Sequence, residues 1–275
     1  MDMKIDSAIE ANNGVQIPRL GLGMFRSPRG QKSFSTVQYA LQFGYRHIDT
    51  AAFYRNEREV GNGVRESGIP RDQIFVTTKL WNEDHGYDKT LRGFEKSLKE
   101  LNLDYVDLCL IHWPVSEKRK DSWKALQRIY EEGRCRAIGV SNYLIRHLEE
   151  LLAETEVIPA VNQVEFHPFL YQKELLEYCR SKKILLEAYS PLTKGQRLND
   201  ASLLKVANKY NKTAAQILIR WGLQHDLIVL AKSNRVERIE ENGSVFDFEI
   251  IAEDMTFLDS LNENYRSSWD PSDVR

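Results

Sequence analysis

Four residues in this chain could together deliver a proton: Asp49, Tyr54, Lys79 and His112. Asp49 closes the run Tyr45-Arg46-His47-Ile48-Asp49, and Tyr54 follows in a short polar loop. Lys79 closes a second apolar run beginning at Ile74, and His112 closes a third beginning at Tyr105. Three strand-like segments thus stop on an ionisable residue, spaced by roughly 30 residues, the period of a strand-helix-strand unit. A phenol with a pKa of about 10 is a weak acid near neutrality. An adjacent ammonium favours the phenolate, a carboxylate can hold that ammonium in place, and an imidazole can hydrogen-bond a carbonyl oxygen or relay a proton. Such a set suits protonation of an oxygen that has just gained negative charge, the acid half of carbonyl reduction. Singly, each residue has a plainer role: Asp49 as a cap, Lys79 as surface, His112 as a satisfied core histidine. Their joint place at the C-terminal ends of successive strands points to catalysis.

The elements that must position them alternate along the chain. Residues 8–18 read as a hairpin turning at Asn12-Asn13-Gly14. Strands follow at Leu20 to Gly23, up to Asp49, up to Lys79, up to His112, Ala137 to Val140, Val161 to Glu165, Ile184 to Tyr189, and Leu227 to Leu230. Helical stripes separate them, such as Leu91, Phe94, Leu98 and Leu101, and Thr213 is placed to cap a later helix. Two more helices, near Val236–Asn242 and Asp254–Leu261, complete the chain. Eight strands with helices between them predict an α/β fold, a closed (β/α)8 TIM barrel with an N-terminal β-hairpin and extra C-terminal helices. No linker divides the chain, so residues 1–275 are expected to form a single barrel domain.

Bulk properties narrow the partners. Of 275 residues, 42% are hydrophobic, enough for a substantial core, and the net charge of −2 comes without a sustained basic run. Nucleic acid and membrane surfaces are therefore not expected as partners, and no run resembles a signal peptide or a membrane span. Cys109, Cys135 and Cys179 show no CxxC pairing and read as small buried hydrophobes. A cytoplasmic monomer follows as the expectation. The six His residues lack a close-paired ligand spacing, so no metal is expected. Gly61-Asn62-Gly63 superficially suggests a dinucleotide loop, but Glu66 stands in the third glycine's place and the segment lies within a helix.

Several segments resemble the aldo-keto reductase superfamily, nearly end to end and in order. They are Gly44 to Ala51, Tyr54 to Glu57, Thr78 to Trp81, His112 to Pro114, Gly139 to Asn142, Asn162 to Glu165, Ala188 to Leu192, and Lys232-Ser233 through Glu241-Asn242. The small bacterial members, of the diketogluconate and glyoxal-methylglyoxal reductase type, are the nearest in character. The resemblance implies Tyr54 as proton donor, Lys79 and Asp49 as its tuners, and His112 as the group orienting the substrate carbonyl. It implies NADP(H) held across the barrel mouth, with Ser141, Asn142 and Gln163 on the carboxamide and Tyr189 stacked on the nicotinamide ring. Gly23, Met24, Asp49, Ser190 and Leu192 are implied as further cofactor contacts. Lys232, Ser233, Asn234, Arg235 and Arg238 fall at the adenosine 2′-phosphate, and Glu241 and Asn242 at the adenine. Ala231 and Arg235 depart from residues frequent in relatives, which leaves the strength of an NADPH preference open.

Phe25, Phe53, Trp81 and Trp113, with His112, are expected to form the substrate wall. The loops after the fourth and seventh strands are short, as is the tail beyond Tyr265, so the pocket is expected to be open and permissive. The expected function is NADPH-dependent reduction of small-molecule aldehydes, dicarbonyls or sugar-derived ketones to alcohols. The competing expectation is a catalytically silent NADPH-binding barrel with a regulatory or structural role.

Overall fold

The computed structural model describes residues 3–274. Strands β1 (Ala8–Glu10) and β2 (Gln16–Pro18) form the antiparallel hairpin, with Ile9 opposite Ile17 and Gly14 turning at φ 83°. Eight parallel strands then close a barrel: β3 (Leu20–Gly23), β4 (His47–Asp49), β5 (Phe75–Leu80), β6 (Val106–Ile111), β7 (Cys135–Ser141), β8 (Val161–Glu165), β9 (Leu185–Tyr189) and β10 (Ile228–Ala231). The last strand closes on the first, Leu230 beside Gly21. Both the barrel and the hairpin match the sequence expectation.

The helices between the strands are α1 (Gln31–Phe43), α2 (Glu57–Arg65), α3 (Tyr87–Leu101), α4 (Arg119–Glu131), α5 (Ile145–Leu152), α6 (Lys173–Ser181), α7 (Ala201–Lys209) and α8 (Ala214–Gln224). After the barrel come α9 (Val236–Gly243) and α10 (Ala252–Asp259). Their starts follow local chemistry. Thr213 accepts from the Gln216 backbone while the Gln216 side chain caps Thr213, a reciprocal box that opens α8. Phe94, Leu98 and Leu101 bury one stripe of α3. Gly61 is required for the neighbouring helix to approach, since a Cβ there would lie 1.8 Å from the Leu101 carbonyl oxygen. The Gly61-Asn62-Gly63 segment is therefore a packing device on α2. All three cysteines are buried thiols.

Two core layers result. Ile17 of the hairpin packs with Phe75, Leu108, Val161 and Ile228, residues near the starts of their strands, and so plugs the lower mouth of the barrel. A second, larger cluster fills the space between the strands and the surrounding helices. Among the described residues, no helix is long and apolar enough to cross a membrane.

With its lower end plugged, the barrel is open only at the C-terminal ends of its strands. That is where β4, β5 and β6 deliver Asp49, Lys79 and His112.

Candidate active site

Lys79 is the best-held residue at this mouth. Its side chain is wholly buried, and Nζ donates to both Asp49 carboxylate oxygens at 2.7 Å and to the Thr50 carbonyl at 2.9 Å. Tyr54 Oη lies 3.4 Å from the same Nζ. Tyr54 sits on a single 3-10 turn, Ala52–Tyr54, that follows β4. Asn56 pins that turn: it donates to the Met24 carbonyl at 2.9 Å and accepts from the Thr50 hydroxyl at 2.7 Å. His112 is the first residue past β6, with its ring edge toward Tyr54 at a centroid distance of 5.8 Å.

Burial sets the protonation states. The Tyr54 hydroxyl is pushed well above its ordinary value by burial, and then by the fields of Asp49 and Glu187. That direction is opposite to the one expected from a neighbouring lysine, because burial, with the charges of Asp49 and Glu187 behind it, outweighs Lys79. Burial, reinforced by Lys79 and His85, holds His112 well below the usual histidine range, so its imidazole is neutral. A neutral phenol beside a neutral imidazole can donate protons to an acceptor but does not present charge to it.

A cleft of about 880 Å³ runs from this group across the mouth. Ser141, Asn142 and Gln163 form a polar shelf on one side. Ser141 Oγ donates to the Gln163 carbonyl at 2.8 Å, Asn142 Nδ2 to the His112 carbonyl at 3.0 Å, and Tyr189 Oη to Asn142 Oδ1 at 2.8 Å. Asn142 and Ser190 take left-handed backbone conformations at the ends of β7 and β9, as do Thr193 and Lys194 farther on. For non-glycine residues, and above all β-branched Thr193, these are strained and cluster at sites that must present backbone to a ligand. At the far end, Lys232, Ser233, Asn234, Arg235 and Arg238 line the cleft, with Glu241 and Asn242 beyond them. Burial, and then nearby Arg26, lower the Lys232 ammonium.

The cleft gathers most of the expected residues, with three exceptions. Met24, the first residue past β3, is fully buried, its side chain packed in the core and not lining the cleft. Trp81 stands behind the wall, stacked on Phe53 at 3.9 Å. Lys79 lies beneath Tyr54 and does not line the cleft. Phe25, Phe53, His112 and Trp113 do line it, as do Gly23, Asp49, Tyr189, Ser190 and Leu192.

Other lining residues were missed. Arg26 and Lys194 add two cations, and Trp269 adds an aromatic ring 5.8 Å from Trp113 and 6.3 Å from Phe53. The tail beyond Tyr265 is short, yet it is fastened over the pocket. Buried Glu165 accepts from the Ser267 and Ser268 backbone at 2.8 and 3.0 Å, and Lys194 donates to the Ser267 carbonyl. The pocket is therefore less open than the loop lengths imply. A carboxylate ending β8 was the available signal for the anchor; nothing in the tail's pattern marks Trp269.

A closed parallel barrel whose upper mouth joins a buried Lys–Asp pair, a phenol and an imidazole to a long cleft is the architecture of a barrel enzyme acting on an oxygen. Comparison with known proteins gives the particular class. The profile of the Aldo/keto reductase family matches residues 19–263. A glyoxal reductase of Bacillus subtilis (strain 168) is 49% identical over 274 residues, covering 100% of this chain and 99% of the relative. A 9,11-endoperoxide prostaglandin H2 reductase of Trypanosoma cruzi (strain CL Brener) is 47% identical, covering 96% and 95%. Among solved structures, an aldo-keto reductase enzyme from a Medee basin deep-sea metagenome library superposes with a TM-score of 0.95 at 44% identity, covering 98% of this chain and 100% of the other. A Bombyx mori aldo-keto reductase, solved in complex with NADP, superposes at 0.89 with 36% identity, covering 95% and 94%. The chain belongs to the aldo/keto reductase family, and its full-length match to the Bacillus glyoxal reductase fits the small bacterial type.

Proposed function

We propose that this protein reduces the carbonyl of aldehydes, dicarbonyls or sugar-derived ketones to an alcohol with NADPH, Tyr54 giving the proton. The observation that carries this reading is the placement of the Tyr54 hydroxyl at the cleft, 3.4 Å from a lysine already committed to a carboxylate.

The cleft fits the cofactor in chemistry. Its polar shelf suits a carboxamide, half-buried Tyr189 offers a flat ring, and Lys232, Arg235 and Arg238 offer cations to a phosphate. Glu241 and Asn242 would meet the adenine. When bound, NADPH supplies the hydride. The chain's own residues do the rest. Neutral His112 holds the carbonyl oxygen, and Tyr54, protonated at rest, donates its proton as negative charge builds there. The phenolate left behind is stabilised by Lys79, whose position Asp49 and the Thr50 carbonyl maintain. Phe25, Phe53, Trp113 and Trp269 give the substrate an apolar wall.

A relative named for glyoxal supports small dicarbonyls as substrates. Another of nearly equal identity, named for a prostaglandin endoperoxide, argues that identity at this level leaves the substrate class broad. The test pairs NADPH absorbance loss over a panel of aldehydes with fluorescence titration of NADPH. Tyr54→Phe should bind NADPH like the wild type and turn over at least about 10³-fold more slowly. Wild-type turnover in Tyr54→Phe would remove Tyr54 from the reaction. Tight NADPH binding by wild-type protein with no carbonyl reduced would make the chain a binding module.

A further inference from the structure

Beneath the cleft lies a second carboxyl group that the reaction above does not use. Glu187, in the middle of β9, is wholly buried inside the barrel. It stands in register with Gln163 of β8, and Gln163 Nε2 donates to Glu187 Oε2 at 2.6 Å. The same Nε2 donates to Asp49 Oδ2 at 3.0 Å. A primary amide has two hydrogens, so both are spent on these two carboxyl groups. The one polar atom left to the Gln163 side chain is its oxygen, and Gln163 lines the cleft.

We propose that Glu187 is a positioning residue: together with Asp49 it locks the Gln163 amide so that only Oε1, an acceptor, can face the cofactor cleft. The amide is otherwise symmetrical in shape, and a rotation of its plane by half a turn would present a donor instead. Asp49, which accepts from Lys79 on both oxygens and can only accept, decides the matter, and Glu187 takes the second amide hydrogen. An acceptor at that point selects a ligand amide hydrogen, such as that of a carboxamide, over a carbonyl oxygen. This inference rests on the reading that the cleft holds NADPH.

The surroundings of Glu187 also define a pH signature. The titratable groups facing it are Asp49, Lys79, Tyr54 and His47, whose Nε2 lies 3.7 Å from Glu187 Oε1. His47 accepts or donates at Thr77 Oγ1, 2.9 Å away, and burial holds it down to about 3, so it stays neutral. Burial, and then the Asp49 charge, raise Glu187 to about 8. At neutral pH it is an uncharged carboxyl whose Oε2 still accepts from Gln163. Above about 8 it ionises, and its field makes Tyr54 a poorer acid.

The test compares Glu187→Gln, which keeps an acceptor but cannot ionise, with Glu187→Leu, which removes the acceptor. NADPH affinity is read by fluorescence titration, and kcat is followed from pH 6 to 10. We expect Glu187→Gln to bind NADPH within about twofold of wild type, and Glu187→Leu to bind about tenfold more weakly, the scale of one neutral hydrogen bond. The fall in wild-type kcat near pH 8 should be absent in Glu187→Gln. Equal NADPH affinity in the Leu variant and the wild type, or a kcat fall near pH 8 that survives in Glu187→Gln, would overturn the proposal. If Glu187→Leu does not fold, Glu187→Met, closer in shape and likewise unable to accept from Gln163, carries the same affinity test. Wild-type protein that failed to bind NADPH would overturn the function reading itself, an outcome separate from normal wild-type binding with no split between the variants.

Discussion

The barrel holds a buried aspartate at each end, and the two are built from opposite charge counts. At the lower end, Asp107 of β6 accepts from Arg71 at 2.7 Å, from Arg136 at 2.9 Å and from the Val76 backbone at 2.9 Å. Two cations serve one carboxylate there, and both guanidiniums reach the surface. At the upper end, one ammonium, Lys79, serves two carboxyl groups, Asp49 directly and Glu187 through Gln163. Lys79 and Glu187 are wholly buried, and Asp49 shows only its edge to the cleft. An excess of cations around a carboxylate makes a staple. An excess of carboxyl groups around a buried lysine favours a proton on one of them, and the phenol of Tyr54 stands 3.4 Å from the same ammonium.

The largest effect should come from removing the upper cation. Lys79→Met leaves Asp49 buried beside an apolar chain and leaves Tyr54 without a charge to stabilise its phenolate. Turnover should fall by about 10³-fold, with a simultaneous loss of thermal stability. The comparison would break if Lys79→Met lost stability alone and kept wild-type turnover at saturating substrate, for then the upper pair would be a staple as well.

The lower end should respond in stability only. Asp107→Ala strands Arg71 and Arg136 at the mouth of the barrel floor and should destabilise the fold by about 3 kcal/mol in urea titration. kcat should stay within about twofold of wild type, because Asp107 lies at the opposite end of β6 from His112. A drop in kcat at unchanged stability would show that the two ends communicate, and the division of labour drawn here would be wrong.

How much of this was legible in the chain follows from where each residue interrupts a pattern. Asp49, Lys79 and His112 end apolar runs, so they stand out as charges at the edge of a core, and the strand-helix rhythm places their ends together. Glu187 breaks the run Ile184-Leu185-Leu186-Glu187-Ala188-Tyr189 from within. Its meaning depends on register with Gln163, which lies 24 residues away and is set by strand pairing across the barrel. His47 is hidden in the same way, packed against a bare Gly21 where a Cβ would lie 3.0 Å from the imidazole. Met24 packs into the core beside Gly23 and Phe25, which line the cleft, and nothing in the sequence pattern separates the three. Trp269 sits in a tail without periodicity, and only the anchoring of that tail by Glu165 brings its ring to the pocket.

The last effect separates the two charge counts by pH alone. Glu187 binds its proton in the folded chain up to about 8, while an ordinary glutamate, as in the unfolded chain, releases it near 4.5. Between those values the folded state holds one proton more than the unfolded state. Stability must therefore fall as pH rises through that window and level off above it, at no more than about 1.4 kcal/mol per pH unit. Asp49 is raised by burial as well, so wild-type data alone mix the two groups. The difference between wild type and Glu187→Gln isolates Glu187, because Asp49 and the lower staple are common to both. Denaturation midpoints measured from pH 5 to 9 should show the wild type losing ground to Glu187→Gln up to about pH 8, with a constant gap beyond. A gap that stays constant across the whole range would mean that Glu187 is ionised throughout, and that the upper end holds two carboxylate charges against one lysine.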